Sequence, residues 1–597
     1  MSFLRVIGRI ILYLLAGIGM LSAVVLIGLV TFVLSARDEP TSPDRIVLVL
    51  DFGQGVAERD HPNILEGLSQ RRPLILHDAL EAIRSAAGDD RVAGLVLDIG
   101  NAPINLTDAQ AIRRAVGLFR KTGKFTYAFA ESYGGLTNGT VAYYLATAAE
   151  KVWMQPSGTL GLVGIAIEAP FVASALNKLD VKTRYEQRHE YKGAGEIFVR
   201  SGFSPEARKS LKRLLNSWME QIVAGIASTR DLSPTHLSYL IDNGPYHAEE
   251  TREARLIDAL AYRDELIETT IGLAGAEAAW LSVERYLQIA GEAAPGVKKV
   301  ALIFGEGVIV PGRGGSPTVG KAQRFAADTI AGAILDAAED DSIDAILLRI
   351  DSPGGSYGAS DTVWRAIQIA KKKGKPVVAS LARTAASGGY FVAMAADRIV
   401  AEAGTVTGSI GVLAVKFVTR DFWRKFGVEW DRVQVGTRAA IWSMIDDYPP
   451  GGAERVSSFL DAVYADFTKK VAEARGFNST KLDEVARGRI WSGVLAKKVG
   501  LVDEIGGLDS GFAELRKLLN IKPNAGLDIL TLPRRSRFEE IFDALRRRGI
   551  DLRSNLGPAL AIFLPSASAP LTEIVGRLDA FIPPAGVLQM PTWRVAR

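Results

Sequence analysis

Short apolar runs alternate with amphipathic stretches along most of this chain. Several of the runs are rich in β-branched residues and are followed by Gly-rich turns and then by stretches with helical spacing. Three such runs occur in each half of the chain: 46–50, 95–99 and 125–129 in the first, and 300–304, 345–350 and 376–381 in the second. Strands that alternate with helices indicate α/β units around a largely parallel sheet. Runs that are apolar throughout fit strands that are covered on both faces.

The N-terminus carries the longest apolar run. Arg5 and Arg9 precede an uncharged stretch at residues 10–36, and charged residues follow it directly. Those 27 residues would form a helix about 40 Å long, enough to cross a bilayer core. We therefore predict a transmembrane anchor at 1–36, with the N-terminus inside because the basic residues lie in front of the apolar run. A cleavable signal peptide that ends near Ala36 remains an alternative.

The chain behind this segment repeats itself. Three pairs of segments recur in the same order at nearly the same spacing. The pairs are 52–56 with 304–308, 89–90 with 340–341, and 143–165 with 390–412. The third pair aligns without a gap at an offset of 247 residues, and several tyrosine, alanine and glycine positions coincide. Such self-similarity indicates a duplicated domain.

The repeat divides the chain into four parts. They are the anchor at 1–36, a first half at 37–295, a second half at 296–525 and a C-terminal tail at 526–597. Two or more domains are expected because 597 residues are too many for a single hydrophobic core. The tail contains arginine clusters and proline-punctuated apolar stretches, which indicate a peripheral or oligomer-contact segment.

Composition excludes several classes of protein. With 48% hydrophobic and 23% charged residues the chain is globular rather than disordered, and a net charge of +4 over this length argues against a nucleic-acid surface. Cysteine is absent, which removes thiol nucleophiles, disulfides and thiolate metal sites. The five histidines show no zinc-ligand spacing. We therefore expect no metal and no cofactor.

Two familiar motifs fail on inspection. Residues 354–358 fit the G-x-S-x-G nucleophile elbow, which requires a histidine base later in the chain, yet all five histidines precede Ser356. Residues 315–321 fit most of a phosphate-binding loop, but Ala322 stands where a Ser or Thr would hold Mg²⁺. Neither motif predicts a function here.

Two Gly-rich segments remain, each directly after a predicted strand. In 351–355 (DSPGG) the paired glycines let the backbone turn its N–H groups toward a ligand. In 385–390 (AASGGY) Ser387 opens a helix and lies near the positive end of the helix dipole. This position suits a nucleophile, but a serine that only caps the helix shows the same pattern.

Together with 407–411 (TGSIG), these two segments resemble the signal peptide peptidases of the Ser/Lys class. Residues 191–198 (YKGAGEIF) are similar to the lysine-bearing segment of that family, and the duplicated length is similar to its long form, protease IV. The resemblance covers nearly the whole chain between the anchor and the tail. It implies an α/β fold of two tandem ClpP/crotonase-like domains after an N-terminal transmembrane helix.

The resemblance also implies the catalytic groups. They are the nucleophile Ser387, the base Lys192, Ser409 as the residue that orients the lysine, and the backbone N–H groups of Gly354 and Gly388 as the oxyanion hole. Lysine is protonated in water at neutral pH, so we expect Lys192 to be buried at the interface of the two halves, where its amine loses the proton. Tyr191 and Glu196 match the family too, and we expect structural roles for them.

The repeat checks this assignment independently. Moving each catalytic position by the offset of 247 residues reaches a residue with different chemistry. The pairs are Ser387 with Thr140, Lys192 with Ala439, and Ser409 with Leu162. Each half therefore lacks what the other keeps, which predicts one composite site per chain. Thr140 as a nucleophile remains an alternative, although neither paired glycines nor a local lysine accompany it.

On these grounds we expect a membrane-anchored serine endopeptidase that degrades cleaved signal peptides and other apolar peptides. The resemblance implies a homotetramer. The anchor predicts a single-pass protein of a bacterial inner membrane with its catalytic domains in the periplasm, and we expect no nucleic acid as a partner. The alternatives are the same chemistry in membrane-protein quality control, a non-catalytic scaffold, and a crotonase-like acyl-CoA enzyme.

Overall fold

A computed structural model describes residues 42–59, 73–100, 104–290, 296–314 and 324–533, and the backbone of 588–589 and 594–595. The anchor predicted at 1–36 lies outside these residues. Among the helices that the structure describes, none is long and apolar enough to cross a membrane.

The first half alternates strands and helices, as its hydrophobic pattern predicts. Its strands are Ile46–Asp51 (β1), Val56–Ala57 (β2), Leu74–Ile75 (β3), Val92–Asp98 (β4), Phe125–Ala130 (β5), Lys151–Met154 (β6), Thr159–Leu160 (β7), Ile167–Glu168 (β8), Lys182–Gln187 (β9), Tyr246–His247 (β10), Ala259–Leu260 (β11) and Ala279–Ser282 (β12). Its helices are Leu76–Gly88 (α1), Leu106–Arg120 (α2), Thr140–Ala146 (α3), Ala173–Lys178 (α4), Pro205–Arg230 (α5), Pro234–Asn243 (α6), Ala248–Glu253 (α7), Arg263–Ala274 (α8) and Val283–Ile289 (α9), with a 3₁₀ helix at Gly193–Phe198.

The second half, with the short strands of the tail, continues in the same manner. Its strands are Lys298–Glu306 (β13), Val308–Val310 (β14), Arg324–Ala326 (β15), Ala345–Ser352 (β16), Gly354–Gly355 (β17), Val377–Ala386 (β18), Arg398–Ala401 (β19), Val406–Gly408 (β20), Leu413–Val418 (β21), Ile490–Ser492 (β22), Glu504–Ile505 (β23), Leu527–Leu532 (β24), Leu588–Gln589 (β25) and Arg594–Val595 (β26). Its helices are Ala327–Glu339 (α10), Tyr357–Lys372 (α11), Gly388–Ala393 (α12), Arg420–Arg424 (α13), Gly452–Arg475 (α14), Ser479–Val485 (α15), Gly493–Val499 (α16) and Leu508–Leu518 (α17).

Both halves build the same parallel sheet, which confirms the prediction of a duplicated α/β fold. In the first half the strand order is β11-β6-β5-β4-β1-β12, and all neighbours are parallel. In the second half the order β23-β19-β18-β16-β13-β24 repeats it strand for strand. The edge strand β24 lies in the segment predicted as the tail and yet completes this sheet.

Helices cover the sheets through one apolar face each. In α10 the buried side chains include Ala327, Ile330, Ile334 and Ala337, which recur every three or four residues and so line one side of the helix. They pack in the same core as the apolar side chains of β16. Truncating a fully buried residue such as Ile334 to Ala would cost about 2–5 kcal/mol of stability.

In each half, a tyrosine hydrogen bond holds the helix that follows the third strand. Tyr143 in α3 donates its hydroxyl proton to the carbonyl of Leu256, and Tyr390 in α12 donates to the carbonyl of Leu501. Both tyrosines are fully buried. The same hydrogen bond therefore anchors the same helix in each copy of the domain.

The repeat extends well beyond the segments recognised from sequence. Helices α4 and α13 begin 247 residues apart, at Ala173 and Arg420, and helices α5 and α14 do so at Pro205 and Gly452. Between α4 and α5 the chain forms β9, which is not part of the sheet of its own half and pairs antiparallel with β21 of the second half.

Buried ion pairs join the halves. The Arg349 guanidinium donates to both carboxylate oxygens of Glu58, at 3.0 and 2.8 Å, and Arg383 donates to Asp108 at 3.0 Å. Arg349, Glu58 and Asp108 are almost completely buried. Removing one member of such a pair would leave an unpaired buried charge and cost about 3–5 kcal/mol, so these contacts hold the halves in one relative position.

Candidate active site

Ser387 lies where β18 ends and α12 begins. Its backbone has φ 57° and ψ −115°, a left-handed conformation that non-glycine residues rarely adopt. Its N–H donates to the carbonyl of Gly408 at 2.8 Å, which fixes the turn. The Ser387 side chain makes no capping hydrogen bond to α12. The structure therefore does not favour the alternative that this serine only caps the helix.

Lys192 reaches the same place from the other half. It lies between the crossing strand β9 and the 3₁₀ helix, and its carbonyl accepts the Tyr185 hydroxyl at 2.8 Å. Its side chain extends into the second half, where Nζ lies 2.7 Å from Ser387 Oγ. Because β9 pairs with β21, Lys192 follows a strand that is hydrogen-bonded to the second half.

Ser409 supplies the other partners of the lysine amine. Nζ lies 2.9 Å from Ser409 Oγ and 2.8 Å from the Ser409 carbonyl. A neutral amine has two N–H donors and one lone pair. When the two oxygens of Ser409 accept the two N–H groups, the lone pair is left for the hydroxyl proton of Ser387. This is the geometry that a general base requires.

Burial makes the neutral amine accessible at ordinary pH. The exposed fraction of Lys192 is 1%, that of Ser387 is 0% and that of Ser409 is 2%. Loss of hydration disfavours the ammonium form, and this burial lowers the pKa of Lys192 well below its usual 10.5. The expectation of a lysine buried at the interface of the halves is met by this geometry.

The predicted oxyanion donors lie together beside Ser387. A Cβ added to Gly388 would come 3.3 Å from Gly354 Cα and 3.1 Å from Gly355 N, so these backbones are in close contact. Gly354 has φ 104° and Gly388 follows Ser387 directly. The Gly354 N–H donates to Ser352 Oγ at 3.1 Å. The Gly354 N–H would therefore have to break its hydrogen bond to Ser352 Oγ before it could donate to an oxyanion.

A loop of the second half clamps the lysine segment, and sequence reasoning missed it. Gly488 has φ 83°, and a Cβ there would lie 2.4 Å from Lys192 N. On either side, Arg487 donates to Glu190 at 2.9 Å and the Arg489 guanidinium lies 4.4 Å from the centre of the Tyr191 ring. The only sequence signal for this contact is a glycine between two arginines.

Other family-matched residues of the lysine segment have the structural roles expected of them. The buried Glu196 carboxylate accepts the N–H of Ser204 at 3.1 Å, just where α5 begins. Tyr191 donates its backbone N–H to the Arg487 carbonyl at 3.3 Å. Both residues therefore hold the lysine segment against its surroundings.

Asp351, the first residue of the 351–355 segment, links the two strands that carry the site. Its Oδ1 accepts the N–H of Thr384 at 3.0 Å, which ties the end of β16 to β18. Burial raises the pKa of Asp351 to about 7, and the nearby Arg383 works against that rise. This carboxyl therefore holds the strand end that leads into Gly354 and Gly355.

The equivalent place in the first half has no such chemistry. Thr140 Oγ1 donates to the Gly164 carbonyl at 2.9 Å and accepts the N–H groups of Gly164 and Val163. Leu162 is fully buried, and Ala439 is exposed. The threonine hydroxyl is thus consumed by a turn, and the structure does not favour Thr140 as a nucleophile.

Comparison with protein families gives two matches. The model of peptidase family S49 matches residues 119–277 and 369–522, which is one stretch in each half. The Clp protease model matches residues 318–403, which contain the Ser387 turn. Together the S49 matches cover just over half of the 597 residues.

Individual proteins align over most of the chain. Protease 4 of Salmonella typhi is 32% identical over 459 residues, which are 75% of this chain and 72% of that protein. The chloroplastic serine protease SPPA of Arabidopsis thaliana is 32% identical over 78% of this chain and 68% of its own. Protease 4 of Haemophilus influenzae is 29% identical over 76% of this chain and 75% of its own.

Proposed function

The chain belongs to peptidase family S49 and is a serine peptidase, and we propose that Ser387 and Lys192 form its catalytic dyad. The observation that carries this proposal is the 2.7 Å contact between the buried Lys192 Nζ and Ser387 Oγ. The hypotheses of a non-catalytic scaffold and of an acyl-CoA enzyme are set aside, because the family is one of peptidases.

The acylation step follows from this geometry. Neutral Lys192 takes the hydroxyl proton of Ser387 as Oγ bonds to the peptide carbonyl carbon. The carbonyl oxygen becomes an oxyanion, which the N–H groups of Gly354 and Gly388 stabilise. Loss of one such donor typically slows a reaction by about 10²- to 10³-fold. The C–N bond then breaks as the Lys192 ammonium gives its proton to the leaving amine, and the acyl group stays on Ser387.

Deacylation runs through the same groups. Lys192, neutral again, takes a proton from a water molecule that attacks the ester carbon. The second oxyanion occupies the same two N–H groups. Its collapse breaks the bond to Oγ, and Lys192 returns the proton to Ser387. Ser409 keeps the Lys192 amine directed at the reacting atoms in both steps, because its carbonyl and hydroxyl oxygens accept the other N–H groups of Nζ.

A peptide substrate would bind as an added β-strand. The tail strand β25 pairs antiparallel with β17, with Gly354 opposite Gln589 and Gly355 opposite Leu588. This pairing supports the idea that the Gly354–Gly355 edge accepts an extended chain, the mode by which many proteins bind peptides. A substrate that uses this edge displaces residues 588–589.

The substrates we propose are cleaved signal peptides and other apolar peptides at a membrane. The apolar run at residues 10–36 supports a retained anchor in a bacterial inner membrane, with the catalytic halves in the periplasm. The homotetramer, which rests on the family resemblance alone, is part of the same proposal. The same chemistry would serve quality control of membrane proteins, and the choice of peptide in the assay separates the two roles.

The test is hydrolysis of fluorogenic peptides by the full chain in detergent micelles. One panel carries apolar signal-peptide sequences, and a second carries polar sequences of the same length. Wild type should cleave the apolar panel, whereas Ser387→Ala and Lys192→Met should lose about 10⁴- to 10⁶-fold in kcat. Thr140→Val is the matched control and should retain wild-type kcat. Wild-type rates in the first two variants would rule out the dyad, and equal rates on both panels would rule out the substrate class.

A further inference from the structure

The proposed base comes from a turn rather than from a helix or a strand. The ladder of β9 and β21 extends to Arg188, whose N–H donates to the Val412 carbonyl at 2.9 Å. The chain then turns through residues 188–192, here called the lysine turn, and Lys192 has φ −82° and ψ 52°, close to an inverse γ-turn. The Lys192 N–H reaches the His189 carbonyl at 3.5 Å, which is long for a hydrogen bond. This backbone bond therefore fixes the lysine only weakly.

Tyr185 bridges the lysine turn with its side chain. It lies in β9, opposite Val415 of β21. Its hydroxyl donates to the Lys192 carbonyl at 2.8 Å, seven residues further along the chain, and also contacts the side-chain amide of Gln187. Burial raises the pKa of the Tyr185 phenol, so the hydroxyl keeps its proton and stays a donor at neutral pH. One side chain thus joins the strand before the turn to the residue at its end.

The Tyr185 ring also contacts the backbone that follows Lys192. A Cβ added to Gly195 would overlap Tyr185 Cε2, so the ring lies directly against this glycine. The same added Cβ would lie 3.1 Å from Cγ2 of Val415. Gly195 is buried, and close packing of this kind leaves little room for movement. The hydroxyl and the ring together hold the start of the 3₁₀ helix against the β9–β21 ladder.

Strand β21 follows closely on the residue that binds the lysine amine. Ser409 lies four residues before β21 begins at Leu413, and its two oxygens contact the Lys192 amine. We propose that Tyr185 is a positioning residue for Lys192, which fixes the Lys192 backbone relative to β21 so that Nζ reaches Ser387 Oγ. One continuous segment of the second half then holds both ends of the lysine: the amine through Ser409, and the backbone through β21, β9 and Tyr185. This inference rests on the proposed dyad.

Gly488 restrains the same backbone at different atoms. A Cβ added to Gly488 would come closest to N and Cα of Lys192, whereas Tyr185 bonds the carbonyl. Loss of the tyrosine hydroxyl would leave the Gly488 contact in place and release the peptide group that follows Lys192. The amine would then lie off the line to Ser387 Oγ, and a misplacement of about 1 Å can cost about 10²-fold in rate.

Removal of the hydroxyl alone tests this role. Tyr185→Phe is assayed as the full chain in detergent micelles with the apolar fluorogenic peptides, and kcat should fall about 10- to 10²-fold with little change in KM. Tyr246→Phe is the matched control, because the Tyr246 hydroxyl donates to the Leu240 carbonyl at 2.6 Å, six residues away in the first half. This control should keep wild-type kcat. Equal losses of kcat in the two variants, or wild-type kcat in Tyr185→Phe, would overturn the proposal.

The pH dependence of kcat gives a second readout, which general loss of stability would not move. Burial keeps the pKa of Lys192 well below its usual value, and the amine contacts only neutral groups of Ser387 and Ser409 among the described residues. An amine displaced toward solvent regains hydration, which raises its pKa. The rise of activity with pH should therefore shift to higher pH in Tyr185→Phe and stay in place in Tyr246→Phe. An unshifted rise in Tyr185→Phe would contradict a positioning role.

Lys192→Met separates this proposal from the dyad on which it rests. If Lys192→Met cuts as fast as wild type, the dyad itself is wrong. If Lys192→Met is inactive while Tyr185→Phe has wild-type kcat and pH dependence, the dyad stands and the positioning role is wrong. Should Tyr185→Phe fold poorly, Gly195→Ala repeats the test, because its Cβ displaces the Tyr185 ring. It should show the same loss of kcat and the same shift, and wild-type behaviour would refute the proposal.

Discussion

The two halves of the molecule fold alike and yet only the second places a serine beside a buried lysine amine. In both halves the helix that follows the third strand begins at this position, with Thr140 in the first half and next to Ser387 in the second, and the same tyrosine hydrogen bond anchors that helix. In the first half the hydroxyl is locked into the turn at Gly164. In the second half it faces an amine delivered by the other half.

This difference teaches that the scaffold and the chemistry are separable. The sheet, the covering helices and the hydrogen-bonded tyrosine are common to both copies. These shared features therefore fix where the segment with Thr140 or Ser387 lies, and they do not determine its chemistry. The two halves differ here by a few local changes. The second half has paired glycines after Ser387, and the first half has Lys192 where the second half has Ala439. Each half therefore needs the other, and the crossing strand β9 is the physical link between them.

The largest effect short of removing the dyad should come from Gly488→Ala. The new Cβ would lie 2.4 Å from Lys192 N, in a left-handed backbone conformation. Displacement of the amine by about 1 Å should lower kcat by roughly 10²-fold or more, with a smaller effect on KM. Gly476→Ala is the matched control, because Gly476 also has positive φ but nothing lies within 4 Å of its added Cβ. Equal losses in the two variants would mean that backbone strain alone explains the effect.

A smaller effect is expected for Ser409→Ala, which converts this position toward the Leu162 of the first half. Loss of one hydrogen bond to the lysine amine should reduce kcat about 10- to 10²-fold. The hydroxyl oxygen stabilises the ammonium form most, so its removal should lower the pKa of Lys192 further. The rise of activity with pH should therefore shift to lower pH. A rise that shifts to higher pH would contradict this role.

Stability should change in the opposite direction to activity in Lys192→Met. Burial lowers the pKa of Lys192 in the folded chain, so folding at neutral pH expels a proton, and this lysine costs stability there. The wild type should gain stability as pH rises toward the unfolded-state pKa of about 10.4. Lys192→Met should have the higher melting temperature at pH 7, with a gap that narrows toward pH 10. A gap that widens with pH would refute the buried neutral amine.

The smallest effect should be that of Thr140→Val in the first half. The change leaves the carbonyl and N–H of Gly164 without their hydroxyl partner and should cost about 1–3 kcal/mol of stability. Peptidase activity below the melting temperature should be unchanged. A loss of activity in the folded variant would mean that Thr140 itself takes part in the reaction.

Much of this site could be predicted because its residues lie in recognisable sequence motifs. Ser387 lies in a Gly-rich turn after a strand, the family resemblance points to Lys192 and Ser409, and the repeat shows that the other half lacks both. The α/β fold follows from strands that are apolar throughout. These features are local, so a single sequence carries them.

The remainder depends on contacts between distant segments. Gly488 lies about 300 residues from Lys192, and no local pattern pairs them. The pairing of β9 with β21 joins strands from different halves, and neither strand has a local sequence pattern that identifies its partner. The hydrogen bond between the Gly354 N–H and Ser352 Oγ depends on side-chain geometry. All three contacts depend on tertiary packing, which cannot be predicted from the hydrophobic periodicity of the sequence.

The central claim is that each chain has one composite site with Ser387 as its nucleophile. Active-site titration of the full chain with a fluorophosphonate, followed by mass spectrometry of the labelled peptide, tests it most directly. The account predicts one label per chain, on Ser387, with labelling strongly slowed in Lys192→Met and normal in Thr140→Val. A label on Thr140, or wild-type labelling of Ser387 in Lys192→Met, would contradict it.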